Sequence, residues 1–368
     1  MKISKIPGLG RFGVYIDNLD LMNISTEEWM EIGQIHLQSL VTILRNVNCT
    51  KERYAELIAR WGDTRPPTVI SRKYKKKYGK DFGWVIEQTK KGSDLIDEID
   101  RYAINTAEAV TLRTTNGYAL GKIAGGYDKD GNPNGFFSTG DLNWHSNESG
   151  TLTFAPGVAL MGYTNMVGSS TGFLTTPDYY ESVTESFRSE LNDMIIQHRY
   201  TPYKINPGND EKQDQLLGIN MCPDHDNEVP LVIKTPGGIT GLHFSINTMH
   251  SIKGATESES NRIFEEIKFG LMADKYTYDH WYQQNNDICL FDNSITQHRR
   301  LGYIDGRLAF RIPYDFTNLQ SQSYQPYFQP VYQRRYIGEI HDVVKQAGVN
   351  FKLPKFSLID RIRCAIEI

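Results

Sequence analysis

The order of its segments constrains this chain more than any single motif does. Strand-like runs occur at residues 12–18 (FGVYIDN), 40–45 (LVTILR), Val229–Ile233, Gly241–Asn247, 288–292 (ICLFD) and 308–312 (LAFRI). Only a few helical stretches separate them. The first opens at Thr26 with an acidic first turn, Glu27 and Glu28, suited to a helix N-terminus. The second covers residues 51–62 and closes on Gly62. A third covers 178–199, and a fourth 257–284 with a break at Gly270. A parallel α/β sheet alternates strand and helix regularly, and this chain does not. The expectation is a mainly β fold with flanking helices: a closed or sandwiched antiparallel core of jelly-roll type.

With 368 residues, 39% of them hydrophobic, the chain has material for a sizeable core. A net charge of −4 gives no reason to expect a nucleic-acid partner. The cysteines Cys49, Cys222, Cys289 and Cys364 lack zinc-ligand spacing and are too sparse for a disulfide framework. The N-terminus has no apolar signal segment, and no apolar run reaches the ~18 residues of a membrane span. A soluble protein in the reducing cytoplasm is expected. Residues 72–80 (RKYKKKYGK) form the one basic run, read as a solvated face or as a patch for an anionic substrate. Residues 1–320 are expected to form the core domain. The extension 321–368 is suited to packing on its outside or against a second subunit of a homo-oligomer.

Of nine histidines, two have neighbours that give them chemical meaning. His145 ends a strand-like run that follows a turn-rich segment, 125–138. Residues i and i+2 of a strand share a face, so His145 and Asn147 can reach one metal ion while Ser146 and Glu148 point away. His298 follows the strand and turn at 287–297. Arg307 and Arg311 share a face of the next strand, and a guanidinium beside a metal suits a dicarboxylic cosubstrate. Two imidazoles and a carboxylate on one face of an octahedron would leave positions open for a bidentate keto acid and O2 at Fe(II). His36, His198 and His341 sit in helical stretches without partners and are read as structural.

These residues resemble the taurine and 2,4-dichlorophenoxyacetate dioxygenases, within the Fe(II)/2-oxoglutarate oxygenases, over about residues 10–316. GVYIDNLDLMNISTEEWMEI resembles the family's strand–helix entry. LVTILRNVN resembles its Arg-ended strand, and ERYAELIARWGD its Gly-closed helix. LNWHSNES resembles the metal motif and DICLFDNSITQHRR the distal-His strand, while Arg307 and Arg311 resemble the cosubstrate-binding pair. Thr171 falls where a family Thr often touches the 2-oxoglutarate carboxylate. The resemblance implies a double-stranded β-helix that uses Fe(II), 2-oxoglutarate and O2. It also implies release of succinate and hydroxylation of a small polar or acidic molecule. Iron would be held by His145, His298 and, at the third position, Asn147. Phe173-Leu174-Thr175 departs from the family's lid sequence.

The larger departure is Asn147, where the family carries Asp. A neutral amide is a weaker Fe(II) ligand than a carboxylate. Four readings stand. Asn147 binds weakly or leaves room for water; an anion takes the position, as chloride does in related halogenases; Glu148 substitutes, which strand alternation opposes without a bulge; or the protein keeps only binding. For the substrate, Arg311 can contact an anionic group, and His243 and Asn247 share a face of an expected inner strand. Tyr163, Tyr179 and Tyr180 are read as packing residues.

Overall fold

The structure is a computed structural model. It describes residues 1–319 apart from 63, 65–73, 75, 99, 102–103, 106–110, 116–118, 130, 132–133, 151–153 and 200–226. The proposed extension from 321 onward, His225, His341 and residues 72, 73 and 75 of the basic run lie outside the described residues. In chain order the strands are β1 (Lys2–Lys5), β2 (Val14–Asp17), β3 (Val41–Arg45), β4 (Thr111–Arg113), β5 (Ala119–Ala124) and β6 (Leu142–His145). Then come β7 (Gly157–Thr164), β8 (Ser170–Thr175), β9 (Ile195–His198), β10 (Asn227–Pro230), β11 (Val232–Lys234) and β12 (Thr240–Leu242). The last are β13 (Met249–Ile252), β14 (Thr277–Trp281), β15 (Ile288–Asp292), β16 (Thr296–Arg300) and β17 (Leu308–Tyr314).

An eight-stranded sheet runs β1-β2-β3-β15-β7-β17-β5-β4, and a four-stranded sheet runs β14-β8-β16-β6. Every named pair is antiparallel except β2 with β3. The central strands of the large sheet are buried on both faces, which is why they read as unbroken apolar runs. On β15, Ile288 and Leu290 face a cluster that includes Trp29, Tyr54 and Trp61, whereas Cys289 and Phe291 face a second cluster with Phe173 of β8. β7 divides the same way, Ala159 and Met161 against Val158 and Leu160. Each fully buried aliphatic or aromatic side chain of this kind stabilises by about 1.5–3 kcal/mol.

The first cluster is closed by two helices. α1 (Thr26–Ser39) begins at a capping box in which Ser25 accepts from the Glu28 N–H and Glu28 accepts from the Ser25 N–H. α2 (Lys51–Ala59) is capped by Thr50 and brings Trp61 into stacked contact with Trp29, ring centroids 4.3 Å apart. α2 ends before Gly62, so that glycine is no cap. It lies against β17's exit, where a Cβ would stand 2.1 Å from the Asp315 carbonyl oxygen. In the described part of the basic run, Lys77 pairs with the exposed Asp97 and the buried Asp100, while Tyr74 is buried with Val85, Ile96 and Ile104, so the run is partly a packing element and not wholly a solvated face. A small helix, α3 (Phe82–Lys90), follows.

The structure corrects three expectations here. Residues 178–199 form two short helices and a strand: α4 (Pro177–Ser182), α5 (Glu185–Asn192) and β9. Val183 is extended, and Thr184 caps a new helix by accepting from the Phe187 N–H. The 257–284 stretch is α6 (Glu257–Leu271) followed by β14, and Gly270 does not break it. Gly270 instead gives space to the Tyr179 ring, 2.1 Å from where a Cβ would lie. Finally, the strand expected at Gly241–Asn247 stops at Leu242: the His243 N–H still donates to the Leu231 carbonyl, but beyond it the segment is held by side-chain bonds, His243 Nδ1 to the Ser294 carbonyl and Ser245 Oγ to Asn247 Oδ1. Among the described residues no helix is long and apolar enough to cross a membrane. Cys49 and Cys289 are buried and unbridged.

Candidate metal centre

β6 and β16 are paired with His145 directly opposite His298, and the two ring centroids lie 4.1 Å apart. His298 stands within its strand, not at a strand exit, with Phe173 of β8 on its other side and the Phe291 ring 4.7 Å away. The His145 Nδ1 lies 2.7 Å from the Asn143 carbonyl oxygen. A carbonyl only accepts, so Nδ1 carries the proton and Nε2 presents a lone pair. Burial pushes the His145 pKa down to about 4 and holds His298 well below the usual imidazole range. Both rings are therefore neutral near pH 7, the form that ligates metals.

The turn between β15 and β16 builds the rest. Asp292 Oδ1 accepts from the Ser294 and Ile295 N–H groups at 2.8 and 3.2 Å and so shapes the turn. Asn293 then reaches across the sheet. Its Oδ1 accepts from the Asn147 N–H at 2.9 Å, and its Nδ2 donates to the Asn147 and Ala155 carbonyls at 2.8 and 3.0 Å. Ser146 Oγ donates to the Thr296 carbonyl at 3.0 Å. The segment following His145 is thus fixed by the loop that precedes His298. Asp292 and Asn293 lie in the DICLFDNSITQHRR stretch that carries the resemblance, six and five residues before His298, but the sequence assigned neither of them a role.

Asn147 is buried. Its Oδ1 accepts from Arg311 at 3.0 Å and its Nδ2 has no partner. Glu148, expected to point away, has a left-handed backbone (φ 58°), and its Oε1 accepts from the other terminal nitrogen of Arg311 at 3.0 Å. Among the described residues no group of three or more His, Cys, Asp or Glu side chains could hold a metal ion.

His145, Asn147, Thr171, His298, Arg307 and Arg311 all line one cavity between the sheets, which holds about 440 Å³ including its open mouth. Arg307 and Arg311 flank Ala309, a residue of the inter-sheet cluster, so all three share the inner face of the strand. Arg307 is 3% exposed, and its Nε and one terminal nitrogen have no partner. Burial lowers its pKa. Arg300 is also buried but is spent on structure, donating to the carbonyls of Phe137, Thr139 and Gly140. Thr171 Oγ1 bonds the Tyr282 hydroxyl at 2.9 Å.

His243 and Asn247 do not line this cavity. The His243 Nδ1 donates to the Ser294 carbonyl at 2.7 Å, and its ring lies 5.5 Å from that of His198. Asn247 Oδ1 accepts from Ser245 Oγ at 2.5 Å. They form a buried polar network behind the His145 segment, and the single-face expectation failed because the strand that would have aligned them ends at Leu242. Tyr163 packs on Phe310, and Tyr179 and Tyr180 pack in the cluster under α6, away from the cavity.

Paired imidazoles across two strands of a small sheet, facing the buried Arg307 and the partly buried Arg311 on the large one, invite comparison with known proteins. The model of the taurine catabolism dioxygenase TauD, TfdA family matches residues 3–312. The chain belongs to the TauD/TfdA family. It is thereby one of the 2-oxoglutarate-dependent non-haem iron dioxygenases, which use Fe(II), 2-oxoglutarate and O2. No curated protein sequence matches it. Among solved structures it is similar to a taurine dioxygenase from Burkholderia xenovorans, with 17% identity over 85% of this chain and 89% of that one, TM-score 0.55. It is also similar to AAD-2 in complex with Mn(II) and N-oxalylglycine, with 14% identity over 89% and 100% of the two chains, TM-score 0.56. At these identities the similarity speaks for the fold.

The donor set fits the family's metal at two positions, His145 and His298, and the unpartnered groups of Arg307 fit a carboxylate. The third position offers an amide whose oxygen already faces Arg311.

Proposed function

We propose that this chain is an iron(II)- and 2-oxoglutarate-dependent dioxygenase that hydroxylates a small polar or acidic molecule, on a fold whose two sheets make a double-stranded β-helix. The observation that carries this is Arg307. A buried guanidinium with two unpartnered nitrogens, in the same cavity as two neutral imidazoles, calls for an anion. His145 and His298 would hold the iron, which when bound supplies O2 activation. Arg307 would take the distal carboxylate of 2-oxoglutarate, with Thr171 and Arg311 beside it. The Asn143 carbonyl keeps the His145 ring in the ligating tautomer. Phe137, Leu160 and Phe291 line the cavity and keep water from the reacting atoms.

The test is succinate release from 2-oxoglutarate with Fe(II) and O2 across a panel of small acids, amines and sulfonates, for the natural protein and Asn147→Asp. Turnover by either supports the reading; silence from both overturns it. A second reading has an observation of its own. The unpartnered Asn147 Nδ2 and Arg311 Nε are donors suited to a small anion beside the imidazoles. That reading makes product formation and 2-oxoglutarate affinity chloride-dependent, and indifference to chloride removes it.

A further inference from the structure

We propose that the negative charge of this centre resides on Glu148, and that Glu148 is a positioning residue which fixes Asn147 through Arg311. The proposal rests on the dioxygenase reading for its metal but on the structure for its geometry. One guanidinium serves both residues: its two terminal nitrogens donate at 3.0 Å to Asn147 Oδ1 and at 3.0 Å to Glu148 Oε1. The ion pair is largely shielded, with side chains 17% and 18% exposed, so its charge-assisted bonds are weakly screened.

The backbone records the same arrangement. Regular strand alternation would send Glu148 to the opposite face from Asn147. A left-handed φ of 58° at Glu148 turns it back toward Arg311. That conformation is strained for a non-glycine residue, and the chain keeps it where an ion pair forms. Asn293 holds the backbone of residue 147 from the other side. Residue 147 is thus held at its backbone by Asn293 and at its side-chain oxygen by Arg311, which polarises that oxygen.

The electrostatic consequence is specific. Glu148 neutralises Arg311 in a cavity that also contains Arg299, Arg300 and Arg307. Removing that charge leaves Arg311 uncompensated beside His145 and His298. A divalent cation is then repelled and an anion attracted. Moving the carboxylate from 148 to 147 keeps Arg311 paired and puts the charge next to the imidazoles.

The experiment is calorimetric titration of the full chain with Mn(II), and separately of the metal-free chain with N-oxalylglycine. Four proteins are compared: the parent, Glu148→Gln, Glu148→Asp and the double variant Asn147→Asp/Glu148→Gln, with circular dichroism as the folding check. Glu148→Gln is expected to weaken Mn(II) binding by about ten- to hundredfold, the usual cost of losing a ligand's supporting partner. It should tighten N-oxalylglycine binding to the metal-free chain. Glu148→Asp should keep most of the parent's behaviour, and the double variant should bind Mn(II) at least as well as the parent. A folded Glu148→Gln with parental affinity for both ligands overturns the proposal. If Glu148→Gln does not fold, the double variant decides: Mn(II) affinity at or above the parent's supports the proposal, and weakened affinity overturns it. A parent that binds no Mn(II) overturns the dioxygenase reading instead, and the metal-free titration then decides the proposal alone.

Discussion

At Arg307 the interests of stability and binding oppose each other. The guanidinium is 3% exposed, with two nitrogens unpartnered, and a buried charge in that state destabilises the ligand-free fold. An Arg307→Met variant keeps the volume and removes the charge. We expect it to melt at a higher temperature than the parent without ligand, while 2-oxoglutarate no longer raises its melting temperature. A variant that melts lower, or that 2-oxoglutarate still stabilises, contradicts the role assigned to Arg307. The residue types at 145, 298, 307 and 311 were legible in the sequence, because strand period and spacing are local properties. Glu148 was not: strand alternation placed it outside, and only the left-handed turn after β6 brings it to Arg311.

Elements meet where the chain leaves no room for a side chain. Gly62 lies just beyond α2, and a Cβ there would stand 2.1 Å from the backbone oxygen of Asp315 and 2.7 Å from its carbonyl carbon. A backbone cannot rotate away as a flexible side chain can. Gly62→Ala should therefore cost about 1–3 kcal/mol by overpacking, read as a lower urea midpoint with an unchanged slope. An unchanged midpoint would return Gly62 to the role of a helix terminator. The start of α1 and the strands β3, β15 and β17 follow from local signals, namely an acidic capped turn and β-branched runs. The division of 178–199 into α4, α5 and β9 does not. Its apolar residues suit a helix by period, and β9 exists because β10 and β13 pair with it from 29 to 56 residues away.

The whole molecule carries an acid liability. Burial lowers the pKa of His36 to about 3 and that of His243 to about 4, and holds His198 well below 6.5. Each of these is depressed in the folded state, so its contribution is intact above pH 6.5. It is lost as pH falls from there toward the folded values, because only the unfolded chain takes up the proton. Asp292 works in the opposite sense. Burial raises it to about 7, so its contribution is present below about pH 4 and lost as pH rises to 7. With His145 and His298, which burial depresses likewise, five histidines against one aspartate leave a net loss between pH 6.5 and 4. Stability measured by urea unfolding should fall across that window, and His36→Gln should flatten the decline; an unaltered slope counts against His36 as a contributor. Length, composition and the irregular order of strands determined that the chain makes a two-layered β core. Its local motifs determined which side chains bring imidazole and guanidinium groups to that core. Tertiary structure alone decided how those groups meet. The pairing of His145 with His298, the Asn293 bonds across the sheet and the Arg311 fork onto Asn147 and Glu148 join positions about 150 residues apart. A sequence pattern has a range of a few residues, so contacts at that separation are set by the packing of the two sheets.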